Sequence, residues 1–301
     1  MVLIPELHVL DLTRGTSLFI LHRFFNSCSS VCVGEWLSGM RICLGLGLGF
    51  CTLLVMGTLW AADGDLAALP LPAPISTAPI AWQYDGDRGP SHWGEIAPTT
   101  ASCEKGTQQS PINIRTTPHH QSHDGLLVHY TAAPGHVVAS HHTIEVDFQS
   151  GESLEVLGRT YTLKDFHFHA PSEHQLNGRS YPMEAHLVHR DESGHLLVLA
   201  VLMDLGTEST SLASVWERIP SGKQEEVRDL LINPQDLLPR DLHHYAYDGS
   251  LTTPPCTEGV HWIVLKEPIS ITPGHIERFV SLIGHNARPV QSLNEREIDE
   301  D

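Results

Sequence analysis

Between residues 126 and 265 the chain carries short apolar runs, most of them alternating with polar positions: Leu126 to Tyr130, Val137 to Ala139, Thr143 to Phe148, Leu154 to Val156, Thr160 to His169, Glu184 to His189, Leu196 to Met203 and Val260 to Leu265. Turn residues separate these runs about every ten positions, which is the signature of a strand-dominated domain. Two segments change period. Leu212, Val215, Trp216 and Ile219 recur at helical spacing, and Thr272-Pro273 caps a second helix whose Ile276, Phe279, Val280 and Ile283 form one stripe. The pattern predicts a mainly β (α+β) single domain over residues 81–293, with a few peripheral helices. The acidic residues 294–301 read as a frayed tail.

One run carries an unusual polar face. In a strand through Phe166-His167-Phe168-His169-Ala170-Pro171-Ser172-Glu173-His174, His167 and His169 point to one side and the phenylalanines to the other. Glu184 and His186 repeat that spacing in Met183-Glu184-Ala185-His186-Leu187-Val188, and the chain between is long enough to turn and pair an antiparallel neighbour. Three imidazoles can then converge on one ion. Three neutral ligands leave a zinc ion its full charge and one open tetrahedral position for a water. Glu184 reads as an acceptor that orients His186 or a loop group near it. A merely polar face on a half-buried strand would explain an isolated His-x-His. A third histidine beside a glutamate on a plausible partner strand favours the metal.

The first eighty residues follow another pattern. No charge interrupts Ile42 to Ala62, Arg41 stands just before this stretch, and Trp60-Ala61-Ala62-Asp63 closes it with small residues. This is the layout of a secretory signal over residues 40–62, and with Met40 as the natural start residues 1–39 become an over-called extension. A signal anchor is the alternative, since about 20 uncharged residues can just span a bilayer. Membrane attachment is expected only if this segment stays uncleaved. Residues 63–80 are rich in proline and alanine and read as an extended linker. Export to the periplasm or beyond is the expected localisation.

Composition narrows the partners. With 18 Lys and Arg against 36 Asp and Glu, the net charge of −18 argues against nucleic acid and for a small substrate. Cys28, Cys32, Cys43 and Cys51 fall before or within the signal, which leaves Cys103 and Cys256 in the exported part. In an oxidising compartment two cysteines most simply form one disulfide, with two buried free thiols as the alternative.

Several separated motifs together resemble the α-class carbonic anhydrases, in particular the bacterial secreted ones. They are Trp82-x-Tyr84 with Gly89-Pro90-x-x-Trp93, Gln109-Ser110-Pro111-Ile112-Asn113-Ile114, the His167 and His186 segments, Gly249-Ser250-Leu251-Thr252-Thr253-Pro254-Pro255-Cys256, Trp262-Ile263-Val264-Leu265 and Asn286-x-Arg288-Pro289-x-Gln291. The resemblance covers Trp82 to Gln291. It implies a central, mostly antiparallel twisted sheet of about ten strands with zinc at the floor of a cleft, and reversible hydration of carbon dioxide to bicarbonate by zinc-bound hydroxide.

By motif position His167, His169 and His186 match the zinc ligands, Thr252 the hydroxyl that accepts from zinc-bound hydroxide, and Glu173 the carboxylate that accepts from Thr252. Asp165, Glu184 and Asn286 fall where the family supports its ligands. Val188, Val201, Leu251, Thr253, Val260 and Trp262 fall on the substrate pocket, and the cysteine pair matches positions that secreted members join. A homodimer is left open.

Two departures stand out. His142 matches the proton shuttle, but His141 replaces a residue that is usually Gly and Ser140 one that is usually Asn, so either histidine can be the relay. Asp165 stands where relatives usually carry Gln, and a carboxylate there is a stronger acceptor that should make His167 more basic. His119-His120 and His243-His244 read as surface pairs without a role. One rival reading is a cupin-type metal oxygenase using Glu173 as a ligand. Another is a non-catalytic relative that kept the fold as a binding module.

Overall fold

The computed structural model describes residues 81–115, 120–121, 125–149, 151–207 and 210–301. The expected extension, signal and linker lie outside the described residues, as does His119. Eight strands carry the architecture: β1 (Ala133–Ala139), β2 (Ile144–Phe148), β3 (Arg159–His169), β4 (Met183–Arg190), β5 (Leu196–Leu205), β6 (Glu226–Ile232), β7 (His244–Ser250) and β8 (Glu258–Leu265). They lie side by side in the order β6-β1-β2-β3-β4-β5-β8-β7. Asp299–Glu300 and His120–Gln121 extend the β7 end. Ser153–Val156, Leu127–His129 and Ile269–Ile271 pair off the main path, so the sheet has 13 strands among the described residues. Most pairs are antiparallel, but β5 runs parallel to β8 and to Ile269–Ile271, so the sheet is mixed.

The central strands are buried on both faces, and β5 (LLVLAVLMDL) accordingly reads as a continuous apolar run. One face packs Phe166, Phe168, Leu187, Leu199 and Val201 under two helices, α1 (Thr210–Arg218) and α2 (Pro273–Leu282). Phe168 meets Trp216 of α1 at 4.8 Å between ring centres, and Trp216 stacks on His275 of α2. The other face packs Ile112, Ile114, Val198, Ala200, Trp262 and Val264. Gly249 belongs to this side because a Cβ there would overlap Ser110 Oγ.

Two strands escaped the period-two reading. β6 is an edge strand whose pairing with β1 slips between Val227 and Leu230, with Asp229 at φ +55°, so its alternation is broken. β7 is buried at six of its seven positions and alternates nowhere. That burial corrects the surface reading of His244, although His243 is exposed. The acidic tail is not frayed either. Ile298 is buried, Asp299–Glu300 pairs with Tyr245 and Ala246 of β7, and Lys266 Nζ lies 3.0 Å from Glu300.

Cys103 and Cys256 form a disulfide across 153 residues, which sets aside the two free thiols. Both are buried beside Trp93, and Cys256 N–H donates to the Thr253 carbonyl (2.8 Å), so the bond anchors the loop that carries Thr252. For a loop of that length the chain-entropy account assigns about 5 kcal/mol to the crosslink. We expect alkylation without reductant to label neither residue and a Cys103→Ser/Cys256→Ser protein to lose several kcal/mol, up to about 5, in denaturant unfolding. Two alkylated thiols in native protein would refute the bond.

Candidate metal centre

The register of β3 against β4 places His167 opposite His186, with His169 two residues further on the same face. The alternation that turns Phe166 and Phe168 into the core therefore turns all three imidazoles to the other side. Their nitrogens approach within 4.8 Å of one another, with ring centres 4.5 to 5.4 Å apart. His169 and His186 are buried, while the His167 side chain keeps 18% of its surface and marks the open side.

Each ring is held by its outer nitrogen. His167 Nδ1 donates to Asp165 Oδ1 (2.8 Å), His169 Nδ1 to the Asn286 carbonyl (2.8 Å) and His186 Nε2 to Glu184 Oε1 (2.8 Å). This fixes the tautomers, leaving the Nε2, Nε2 and Nδ1 lone pairs, respectively, to face one another. His169 Nε2 is buried with no hydrogen-bond partner. A buried orphan among three convergent neutral nitrogens fits a tetrahedral zinc with one open position.

The supporting groups are themselves satisfied. Glu184 Oε2 accepts from the Glu173 and His174 N–H groups (both 2.8 Å), and Oε1 also accepts from His174 Nδ1 (2.7 Å). The Asn286 side chain donates to the His142 and Phe168 carbonyls (2.9 and 2.8 Å) and accepts from Ala170 N–H (2.8 Å), clamping the end of β3. Sequence reasoning gave no role to His174, whose ring bridges Glu184 and the Tyr247 hydroxyl (2.6 Å), nor to Arg288. Arg288 donates side-chain bonds to the Ser110 and Cys103 carbonyls and its backbone N–H to Glu173 Oε1 (2.8 Å). The signal for both was their place inside quoted motifs.

Burial decides the charge states. It pushes His186 down to about 4, and with the charges of His186 and His167 it holds His169 well below the usual imidazole range. Both rings are thus neutral, as ligands must be. Burial also works against a charge on His167, but Asp165 outweighs it and raises the group. Burial opposes the charge of Glu184 too, yet His174 and His186 hold it well below the carboxylate range. Burial raises Glu173 to about 8, opposed by the Arg288 N–H and by a hydrogen bond with Thr252. A cation among the imidazoles would favour the ionised form. On the open side, burial followed by the charge of Asp165 raises Glu145 to about 7.

Among the apolar candidates, Val188, Leu251, Val260 and Trp262 share a cluster on the imidazole side, and Trp262 lies 4.9 Å from His186 between ring centres. Thr253 is half-buried in the adjacent loop. Val201 does not join them. It pairs with Ala185 and faces the helix-side core, whereas Ala200 pairs with His186 and Val198 with Val188. An odd number of residues along a strand reverses the face, so Val198 and Ala200 hold the place expected of Val201. His142 stacks on Trp82 with ring centres 3.8 Å apart and its Nε2 3.0 Å from the Trp82 carbonyl, while His141 is exposed. Ser140 Oγ accepts from the His142 and Thr143 N–H groups and shapes that turn.

A mixed sheet with three convergent imidazoles on one face defines a candidate metal centre. The sequence model of the eukaryotic-type carbonic anhydrase family matches residues 88–301. A carbonic anhydrase of Pectobacterium carotovorum is 40% identical over 224 residues, 73% of this chain and 91% of its own length. The α-carbonic anhydrase of Thermovibrio ammonificans, solved with sulfanilamide, superposes with a TM-score of 0.71 at 41% identity, covering 73% of this chain and 99% of that one. Dioscorin, solved with ascorbate, superposes with a TM-score of 0.68 at 31% identity, covering 73% and 97%. This chain belongs to the α-carbonic anhydrase family, which sets aside the cupin reading. Glu173 is held by Arg288 N–H and Thr252, with its carboxylate 3.6 Å from His169 Nδ1 and 3.9 Å from His186 Nδ1.

Loss of a partner that orients a metal-binding imidazole lowers metal affinity by about 10- to 100-fold. We expect that loss in Asp165→Ala, read as zinc transfer to a competing chelator. Retention equal to that of the unaltered protein would show that Asp165 does not hold the ring.

Proposed function

We propose that this protein reversibly hydrates carbon dioxide with a zinc ion held by His167 Nε2, His169 Nε2 and His186 Nδ1. The observation that carries this reading is the set of three inward nitrogens, one buried and unpartnered, whose outer nitrogens are all committed to other groups. Zinc, when bound, supplies a Lewis acid that makes a water acidic near pH 7, a value for which carbonic anhydrase is itself the reference case.

The chain's own residues supply orientation. A Thr252 hydroxyl whose proton is committed to Glu173 can only accept from the reacting water, which fixes the direction of that water's lone pair. Glu173 is held by Arg288 N–H, and the Thr252 loop by the disulfide. Val188, Val198, Val260 and Trp262 make an apolar wall suited to an uncharged linear substrate. His142 is the proposed proton carrier, since an imidazole both takes and releases a proton at neutral pH. Its Nε2 is paired with the Trp82 carbonyl.

A non-catalytic binding module is the second reading, for which the one supporting observation is that a structural neighbour, dioscorin, was solved as a complex with ascorbate. Retention of all three imidazoles with Glu173 and Thr252 weighs against it. The disulfide supports an oxidising compartment, periplasmic or extracellular. Among the described residues no helix is long and apolar enough to cross a membrane.

Metal analysis with stopped-flow hydration tests the reading directly. A zinc-free protein, or a zinc-loaded one without hydration activity, would overturn it. Thr252→Val should keep its zinc and lose about 100-fold in kcat/KM, the order expected for a misplaced nucleophile. Unchanged kcat/KM would remove Thr252 from the mechanism. His142→Ala should lower kcat in weak buffer by about 10- to 100-fold and recover with an imidazole-type buffer, because only the proton step is impaired. If His141→Ala behaves that way and His142→Ala does not, the carrier is His141.

A further inference from the structure

Three carboxylates stand on the open side of the imidazole cluster. Asp165 shares a face with His167 on β3, Glu145 of β2 lies opposite His167, and Asp147 lies opposite Asp165. The ligating atoms of Glu145, Asp165 and His167 all lie within 4.8 Å of one another, so the negative charge begins at the outermost imidazole. On β1 the next group outward is His136, opposite Asp147, with Nδ1 3.7 Å from Asp147 and Nε2 3.0 Å from Glu226 of β6. Glu226 in turn engages Arg228 at 2.8 Å. Among the described residues no lysine or arginine is ion-paired with any of the three carboxylates. The imidazole cluster beside these carboxylates is marked as a ligand site on separate grounds, by the buried and unpartnered Nε2 of His169.

We propose that Glu145, Asp147 and Asp165 form an anionic wall that weakens the binding of anions at the metal centre, bicarbonate included, and does not act on uncharged carbon dioxide. This rests on the zinc reading above and names what the site discriminates against. A bound anion feels each carboxylate through Coulomb repulsion. At a separation on the order of 8 Å, dielectrics between those of a protein surface and of water make one charge worth about 2- to 30-fold in affinity. A neutral linear molecule carries no such penalty. The wall therefore keeps the product and small inorganic anions from occupying the open position.

Calorimetric titration of thiocyanate into the zinc-loaded protein tests this without reference to turnover. Unaltered protein, Glu145→Gln, Asp147→Asn and the double variant are compared at pH 8, with zinc measured on each sample. Glu277→Gln, which removes an exposed carboxylate on α2, controls for net charge. Each wall variant should bind thiocyanate about threefold tighter or more, the double variant tighter still, and the gain should shrink at high ionic strength. Glu277→Gln should bind like the unaltered protein. Two separate neutralisations keep the test readable if one variant fails to fold. Equal affinities at full zinc content, or an equal gain in Glu277→Gln, overturn the wall alone. Unaltered protein isolated without zinc overturns the metal reading and the wall with it.

Discussion

The pairing of β3 with β4 is the constraint on which the rest of the site depends. With His167 opposite His186, one pair of strands delivers three imidazoles to one face and sends Phe166, Phe168 and Leu187 into the core. A slip of one residue would exchange the faces, burying imidazoles against Trp216 and exposing phenylalanine. The hydrophobic core and the metal centre are therefore specified by the same alternation. The apolar burial that holds the register also holds the ligand geometry.

Around that pair the structure commits nearly every polar group. Glu184 alone accepts from two backbone N–H groups and two imidazoles, and Asn286 ties His169, the end of β3 and the His142 turn together. In a low-dielectric interior such a densely bonded network is stiff, because releasing a bonded member leaves a buried charge or dipole unpaired. Among the exceptions is His169 Nε2, which sits where the proposed metal would. The disulfide and Arg288 carry this rigidity to the Glu173 and Thr252 pair, since Arg288 contacts both the Cys103 carbonyl and Glu173.

The charge distribution divides along the sheet. The face beside Trp262, Val198 and Val260 is apolar, while the side that opens past His167 carries Glu145, Asp147 and Asp165. A neutral reactant and an anionic product meet different surroundings in the same site.

The strands with one exposed face, the two helical stripes and the His-x-His and Glu-x-His spacings were legible in the sequence, because alternation and helical period follow from local geometry alone. The motifs added the family and a provisional role for each site residue. Three things required the folded chain. β6 and β7 lack a period, the one because its edge pairing slips and the other because it is buried on both faces. The tail from Asn294 gains order only from Ile298 and the strand pairing to β7. Val201 could be told from Val198 only by knowing which residue of β5 faces His186. Parity within a strand is local, but the face it assigns depends on a neighbouring strand's register, and that is fixed by packing between residues far apart in the chain.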